Sequence, residues 1–232
     1  MTNITVLLAD DHTVVRQGLR LLLEAEPDIK IAGEAGTGRQ AVQLAQTLKP
    51  DVVVMDIAMP LLNGLEATRQ IIKQVPSTRV LILSSYSDDD YVHQLTEAGA
   101  AGYLLKQAAV TDLIKAIREA KKGKAFFSPA ISKRLMEQYR QTLLKGVLVR
   151  KRIDRLSSRE TEVLQLIAEG RLNKQIAGEL NLSIKTIEKH RQQLMNKLGI
   201  HDIAGLTRYA ISKGIIETSP AAKRQGDRGR AS

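Results

Sequence analysis

The chain has no cysteine and no tryptophan, and only two phenylalanines and five tyrosines among its 232 residues. Without cysteine there can be no disulfide framework, no thiolate metal site and no cysteine nucleophile. No apolar run approaches the ~18–20 residues that a membrane-spanning helix needs. The amino terminus passes straight into ITVLLADDH, without the basic and apolar regions of a secretory signal. The expectation is a soluble, cytoplasmic chain with no membrane partner. What is present is ordinary for a globular protein. The 43% hydrophobic content supports a buried core and excludes wholesale disorder. At roughly 100–200 residues per domain, the length allows one large domain or two small ones.

The charge argues for two. The formal net charge is +10, but residues 1–120 hold 11 Lys+Arg against 15 Asp+Glu, whereas residues 121–232 hold 24 against 10. An acidic half joined to a basic half implies different partners, and nucleic acid suits the basic one. A merely solvated charged surface is the competing explanation.

In the first half, apolar runs recur at residues 4–9, 29–35, 52–55, 80–84 and 101–105. Helical-period stretches lie between and after them: Val14–Ala25, Gly38–Leu48, Gly64–Val75, Asp89–Ala98 and Val110–Lys121. Strands alternating with helices predict a parallel sheet covered on both faces. Five such units predict a flavodoxin-like, doubly wound α/β domain over residues 1–122, with its ligand outside the carboxyl ends of the strands. Those ends are where the polar residues stand: Asp10 and Asp11, Asp56, Ser84 and Lys106. Neighbouring strands lie about 4.8 Å apart, so the acids ending the first and third strands can share a site. Clustered carboxylates repel and need a counter-charge, and a hard cation such as Mg²⁺ suits them. His12 reads as a helix-start residue rather than a ligand. The SDDDY run (87–91) reads as a solvated helix start that complements the helix dipole.

Four motifs in order, LLADDH, VVVMDIAMPLLNG, LILSSY and GYLLK, resemble the receiver domain of bacterial two-component response regulators. The resemblance implies that Asp56 accepts a phosphoryl group. It also implies that Asp10, Asp11, Asp56 and the backbone carbonyl of Ala58 bind Mg²⁺. Ser84 takes the switch-hydroxyl position, Tyr103 the switch aromatic and Lys106 the phosphate-pairing lysine. The chemistry is coherent: a carboxylate can attack a phosphoryl group, while a cation, a lysine and a hydroxyl stabilise the transferring oxygens. Gly64 supplies turn freedom in the loop after Asp56, and for Tyr103 packing at the sheet edge is the lesser alternative. Two departures stand out. Serine replaces the commoner threonine at 84, and Gln107 stands where many receivers carry proline, leaving the geometry of that peptide bond open.

Residues 123–155 are strongly basic, with Glu137 and Asp154 the only acids. Helical spacing over Pro129–Leu144 makes this a partly helical linker, with GVLVRKRIDR its looser end. Beyond it, Ser157 and Glu160 form a capping box for a helix closed by Gly170. A short helix at Asn173–Leu180, a turn, and a longer helix from Ser183 to Leu198 describe a helix-turn-helix. A last helix spans Ile203–Lys213. At 100° per residue, Ile187, Leu194 and Leu198 share the buried line, and Lys185, Lys189, Gln192 and Asn196 project opposite. Those side chains suit base edges and phosphates in a major groove.

The run LSSRETEVLQLIAEGRLNKQIAGELNLSIKTIEKHRQQLMNKLGI is similar to the LuxR-type helix-turn-helix of NarL/FixJ regulators, over residues 156–216. The resemblance implies that Ser183–Leu198 is the recognition helix. It puts Asn173 and Lys174 near the DNA backbone, Thr186 and Arg191 on phosphates, and Glu188, a departure from the family pattern, against a base. His190 reads as packing or a phosphate contact. Residues 217–232 read as a disordered tail.

Together these resemblances imply a phosphorylation-controlled transcription regulator. Its partners would be operator DNA, a sensor histidine kinase or a small phosphodonor, a second copy on activation, and RNA polymerase as a further candidate. In this subfamily the unphosphorylated receiver often covers the recognition helix. No enzymatic activity is expected beyond self-catalysed phosphoryl transfer to, and loss from, Asp56. A haloacid-dehalogenase-type phosphotransferase would need a second acid two residues after the nucleophile, and Ala58 stands there. A receiver that works without phosphorylation is the other alternative.

Overall fold

The computed structural model describes residues 3–85, 94–107, 110–144 and 156–216. Its first unit is a parallel sheet with strand order β2-β1-β3-β4-β5-β6. The strands are β1 (Ile4–Ala9), β2 (Ile29–Ala35), β3 (Val52–Met55), β4 (Arg79–Ser84), β5 (Gly102–Leu105) and β6 (Phe126–Phe127). Helices α1 (Thr13–Glu24), α2 (Gly38–Leu48), α3 (Gly64–Gln74) and α4 (Val110–Lys121) connect or follow them, and residues 94–97 are also helical. Strands that are apolar on both faces build two cores. One holds Leu7, Val53, Met55, Ile82 and Tyr103, and the other Val6, Leu8, Val54, Leu81 and Leu104.

The sheet has six strands rather than the expected five. A two-residue strand carries too little pattern to show in sequence. It forms because Gly102 lets the Phe126 backbone come close: a Cβ at 102 would lie 2.2 Å from the Phe126 carbonyl oxygen. Helix α5 (Pro129–Leu144) follows. Its Ile131 is fully buried in the core of the sheet unit, with Leu135 and Phe127 packed alongside. The first part of the basic 123–155 segment is thus bound to the sheet and is not a tether. Its second part, the SDDDY run and the 217–232 tail lie outside the described residues.

The second unit is helical: α6 (Ser158–Ala168), α7 (Asn173–Glu179), α8 (Ile184–Leu198) and α9 (Ile203–Ser212). The capping box is present, with the Glu160 N–H donating to Ser157 Oγ and the Ser157 N–H to Glu160 Oε2. The tight turn between α7 and α8 passes through Asn181 at φ +52°, and Ser183 caps α8 through the Thr186 N–H. Val163, Leu166, Ile176, Ile187, Leu194 and Leu206 form a separate core. Leu61, from the loop after Asp56 in the first unit, also packs on that core.

Candidate functional site

Strand register assembles the acidic site. Ala9 pairs with Met55 across β1 and β3, so Asp10 and Asp56 emerge side by side where the strand order reverses. Ser84 pairs with Leu105 across β4 and β5, which brings Lys106 toward the same end. The Lys106 ammonium lies 2.9 Å from Asp10 Oδ2 and 2.8 Å from Asp56 Oδ2. Both carboxylates are buried. Asp11 and His12 stand at the open side, with His12 Nδ1 2.8 Å from Asp11 Oδ1. Ligand atoms of Asp10, Asp11, His12 and Asp56 all fall within 4.8 Å of one another.

The electrostatics explain what the site wants. Burial pushes the Asp56 carboxyl up to about 6; Lys106 offsets part of that rise, and the charge of Asp10 adds to it. Burial alone would lower Lys106. The charges of Asp56 and Asp10, with the hydrogen bonds to both, outweigh that and raise it. One ammonium among three carboxylates leaves an excess of negative charge. A hard, oxygen-seeking divalent cation fits this donor set, with Asp10, Asp11 and Asp56 as carboxylate ligands.

The loop that follows Asp56 is held by its own backbone. The Ile57 N–H donates to Asp56 Oδ1 at 2.8 Å, and the N–H groups of Met59 and Gly64 both donate to the Ile57 carbonyl. Ala58, the residue implied as a carbonyl ligand, is buried inside this turn. Gly64 is required there for closeness rather than turn freedom: a Cβ would lie 1.9 Å from the Asp56 carbonyl oxygen, and its φ is not positive. Ser84 is fully buried at the end of β4, and its carbonyl accepts from the Lys106 N–H. Tyr103 points inward and is fully buried among core residues. The Lys106–Gln107 peptide bond is trans.

Sequence reasoning read His12 as a helix-start residue, which it is as the N-cap of α1, but not as a neighbour of the acids, and it passed over Arg16. His12 joins the acid cluster because the turn after β1 folds back, its own N–H donating to Asp10 Oδ1. Arg16 holds that turn from behind, donating to the Asp10 carbonyl and to Glu34. The spacing Asp-x-His is too common to have signalled the first.

On the helical unit, α8 buries Ile187 and Leu194 and exposes Lys185, Glu188, Lys189, Gln192 and Asn196. Gln192 Nε2 donates to Asn196 Oδ1 at 2.9 Å, so the two amides form one ridge. Arg191 donates to Asn173 Oδ1 at 2.7 Å, tying α8 to the start of α7. Thr186 is half-buried against the Ser183 cap, and Lys174 is exposed. The polar face of α8 is open to solvent; among the described residues, the sheet unit meets α6 and α7.

Residues 6–118 match the response regulator receiver domain, and residues 154–210 match the luxR family of bacterial regulatory proteins. The chain is a two-component response regulator with a LuxR-type DNA-binding domain. As such, this response regulator acts in the regulation of transcription. It is 40% identical over 207 residues to the transcriptional regulatory protein LiaR of Bacillus subtilis (strain 168), covering 89% of this chain and 96% of that one. To DegU of Brevibacillus brevis it is 34% identical over 225 residues, covering 92% and 95%. A solved structure of the Salmonella typhimurium response regulator RcsB matches with a TM-score of 0.62 and 31% identity, over 91% of this regulator and 98% of that chain. A structure of an RcsB–DNA complex matches at a TM-score of 0.56 and 32% identity, over 91% and 99%. No helix among the described residues of the regulator is long and apolar enough to cross a membrane.

Proposed function

We propose that the regulator is switched by phosphorylation of Asp56 and that the phosphorylated form binds a pair of operator half-sites as a dimer. One observation carries this: Lys106 bridges two buried carboxylates, Asp10 and Asp56, in a cluster with more negative charge than it can neutralise. Bound Mg²⁺, held by Asp10, Asp11, Asp56 and the Ala58 carbonyl, would supply the positive charge that lets an anionic phosphodonor approach. The Asp56 carboxylate attacks the phosphorus, the donor's leaving group departs with the bonding pair, and an acyl phosphate remains. Lys106 then turns from carboxylate partner to phosphoryl partner, and the Ser84 hydroxyl bonds another phosphoryl oxygen. That inward pull, with Tyr103 following, is the local event that biases a two-state receiver.

The α8 face would enter the major groove. Lys185, Lys189, Gln192, Asn196 and Glu188 face the bases, while Thr186, Arg191, Asn173 and Lys174 address the phosphates. The phosphoryl source would be a sensor histidine kinase or a small phosphodonor, and RNA polymerase a contact at the promoter. The site is cytoplasmic in this proposal.

The test is labelling with a phosphodonor. The parent chain should label in Mg²⁺ and lose the label in EDTA, and Asp56→Asn, of nearly equal volume and poor nucleophilicity, should not label. Undiminished labelling of Asp56→Asn would place the acceptor elsewhere. EDTA-insensitive labelling would remove the metal from the mechanism.

A further inference from the structure

The loop after Asp56 is gripped by the DNA-binding domain. Gln165, on α6, is 1% exposed, which is unusual for a neutral amide. Its Nε2 donates to the Met59 carbonyl at 2.9 Å, and its Oε1 accepts from the Asn63 N–H at 2.8 Å. A backbone N–H can only donate and a carbonyl can only accept, so these partners fix which way the amide faces. The same Nε2 donates to Glu169 Oε1, which in turn accepts from the Leu61 N–H at 3.0 Å. Leu61 stands at φ +67°, a left-handed conformation that costs a branched residue roughly 1–2 kcal/mol. It is held there by the Glu169 contact and by packing of its side chain on the helical core. Residues 59, 61 and 63 are thus each tied to α6.

Ala58 sits between two pinned neighbours. On one side, Ile57 is held by Asp56 and by Gly64. On the other, the Met59 carbonyl is held by Gln165. We propose that Gln165 is a positioning residue for the metal site: its amide fixes the 59–63 loop and so presents the Ala58 carbonyl to the cation. The inference rests on the metal reading of the Asp10–Asp11–Asp56 site. It makes the DNA-binding domain part of the phosphorylation machinery rather than only its target. By reciprocity, a cation in the site tightens the docking of α6 on the loop.

A second group of contacts separates this role from docking in general. Arg39 of α2 lies 2.8 Å from Glu179 of α7, joining the same two units without touching the 59–63 loop. Removing that ion pair loosens docking but leaves the amide clamp in place.

The experiment is Mg²⁺ titration of the full-length chain by isothermal calorimetry, with no phosphodonor present. Gln165→Ala removes the clamp, and Gln165→Glu keeps its volume but replaces the donor facing Met59 with a carboxylate oxygen. Two hydrogen bonds lost in part should weaken Mg²⁺ binding by about three- to tenfold in both variants, while Glu179→Gln should stay within about twofold of the parent. Parent-like affinity in both Gln165 variants overturns the clamp while leaving the metal site standing. An equal loss in Glu179→Gln overturns the assignment to Gln165 and transfers it to docking as a whole. A parent that binds no Mg²⁺, or an Asp11→Ala chain that binds it undiminished, overturns the metal site itself and the clamp with it.

Discussion

Asp56 carries two opposing demands at the scale of one residue. As the proposed nucleophile it must be ionised, yet burial raises its pKa to about 6. It remains mostly carboxylate at pH 7, but at a cost to the fold. The sign follows from proton uptake. The native carboxyl holds its proton up to about pH 6, whereas in the unfolded chain it releases it near 3.8. Between those values the native state binds more protons, so this group's contribution to stability falls as pH rises through the window. Two pKa units correspond to about 3 kcal/mol. In EDTA, therefore, Asp56→Asn should gain stability relative to the parent between pH 4 and pH 7, by on the order of 2–3 kcal/mol. Urea unfolding of both chains at the two pH values measures it. A difference that does not change with pH would show that the carboxyl is not held shifted. The attraction of Lys106 is already contained in the value of about 6, since the lysine lowers the Asp56 pKa and acts on the ionised form.

Among the elements, α8, the proposed recognition helix, invites the clearest division. Gln192 and Asn196 share a hydrogen bond on the exposed ridge, and Lys189 lies about one turn before Gln192. If Lys189 and Gln192 read bases, alanine at either should cost about 1–3 kcal/mol on the preferred site and relax preference at one base position. Lys174, exposed at the start of α7, should as alanine weaken every sequence alike and lower the salt slope by about one unit. Binding to the selected and scrambled sites over a salt series separates the two behaviours, and parent-like binding by all three would take α8 out of the groove. Elements of this kind were legible because their pattern is internal to them. The apolar runs of β1, β3 and β4 and the Ser157–Glu160 cap state their own structure, and the acids at the strand ends follow from parallel topology. What was not legible depends on other parts of the chain. Phe126–Phe127 becomes a strand only because Gly102 admits it. Glu162 and Gln165 look like a solvated face of α6, yet both are buried, because another domain covers them. No local pattern in a helix announces a partner 100 residues away.

The whole molecule sets how the proposed phosphorylation would reach DNA. If the receiver covered the recognition helix, release would be the switch, and the family resemblance implied this. The structure docks the two units through α6 and α7, with Gln70 donating to Glu162 and Arg39 paired with Glu179, and leaves Lys185, Lys189, Gln192 and Asn196 exposed. A free face gains nothing from being uncovered. Under the proposed function the gain would come from joining two copies, where the second half-site is bound at an effective concentration set by the first, an advantage of about 10²–10⁴. Phosphodonor should accordingly change affinity for DNA carrying one half-site by less than about threefold. On DNA carrying two half-sites it should strengthen binding by about a hundredfold and steepen the concentration dependence. Mobility shifts on the two DNAs, with and without acetyl phosphate, make the comparison, with Asp56→Asn as the chain that should not respond. A hundredfold gain on the single half-site would mean that the receiver masks α8 in solution, and that docking through α6 and α7 is not the resting arrangement.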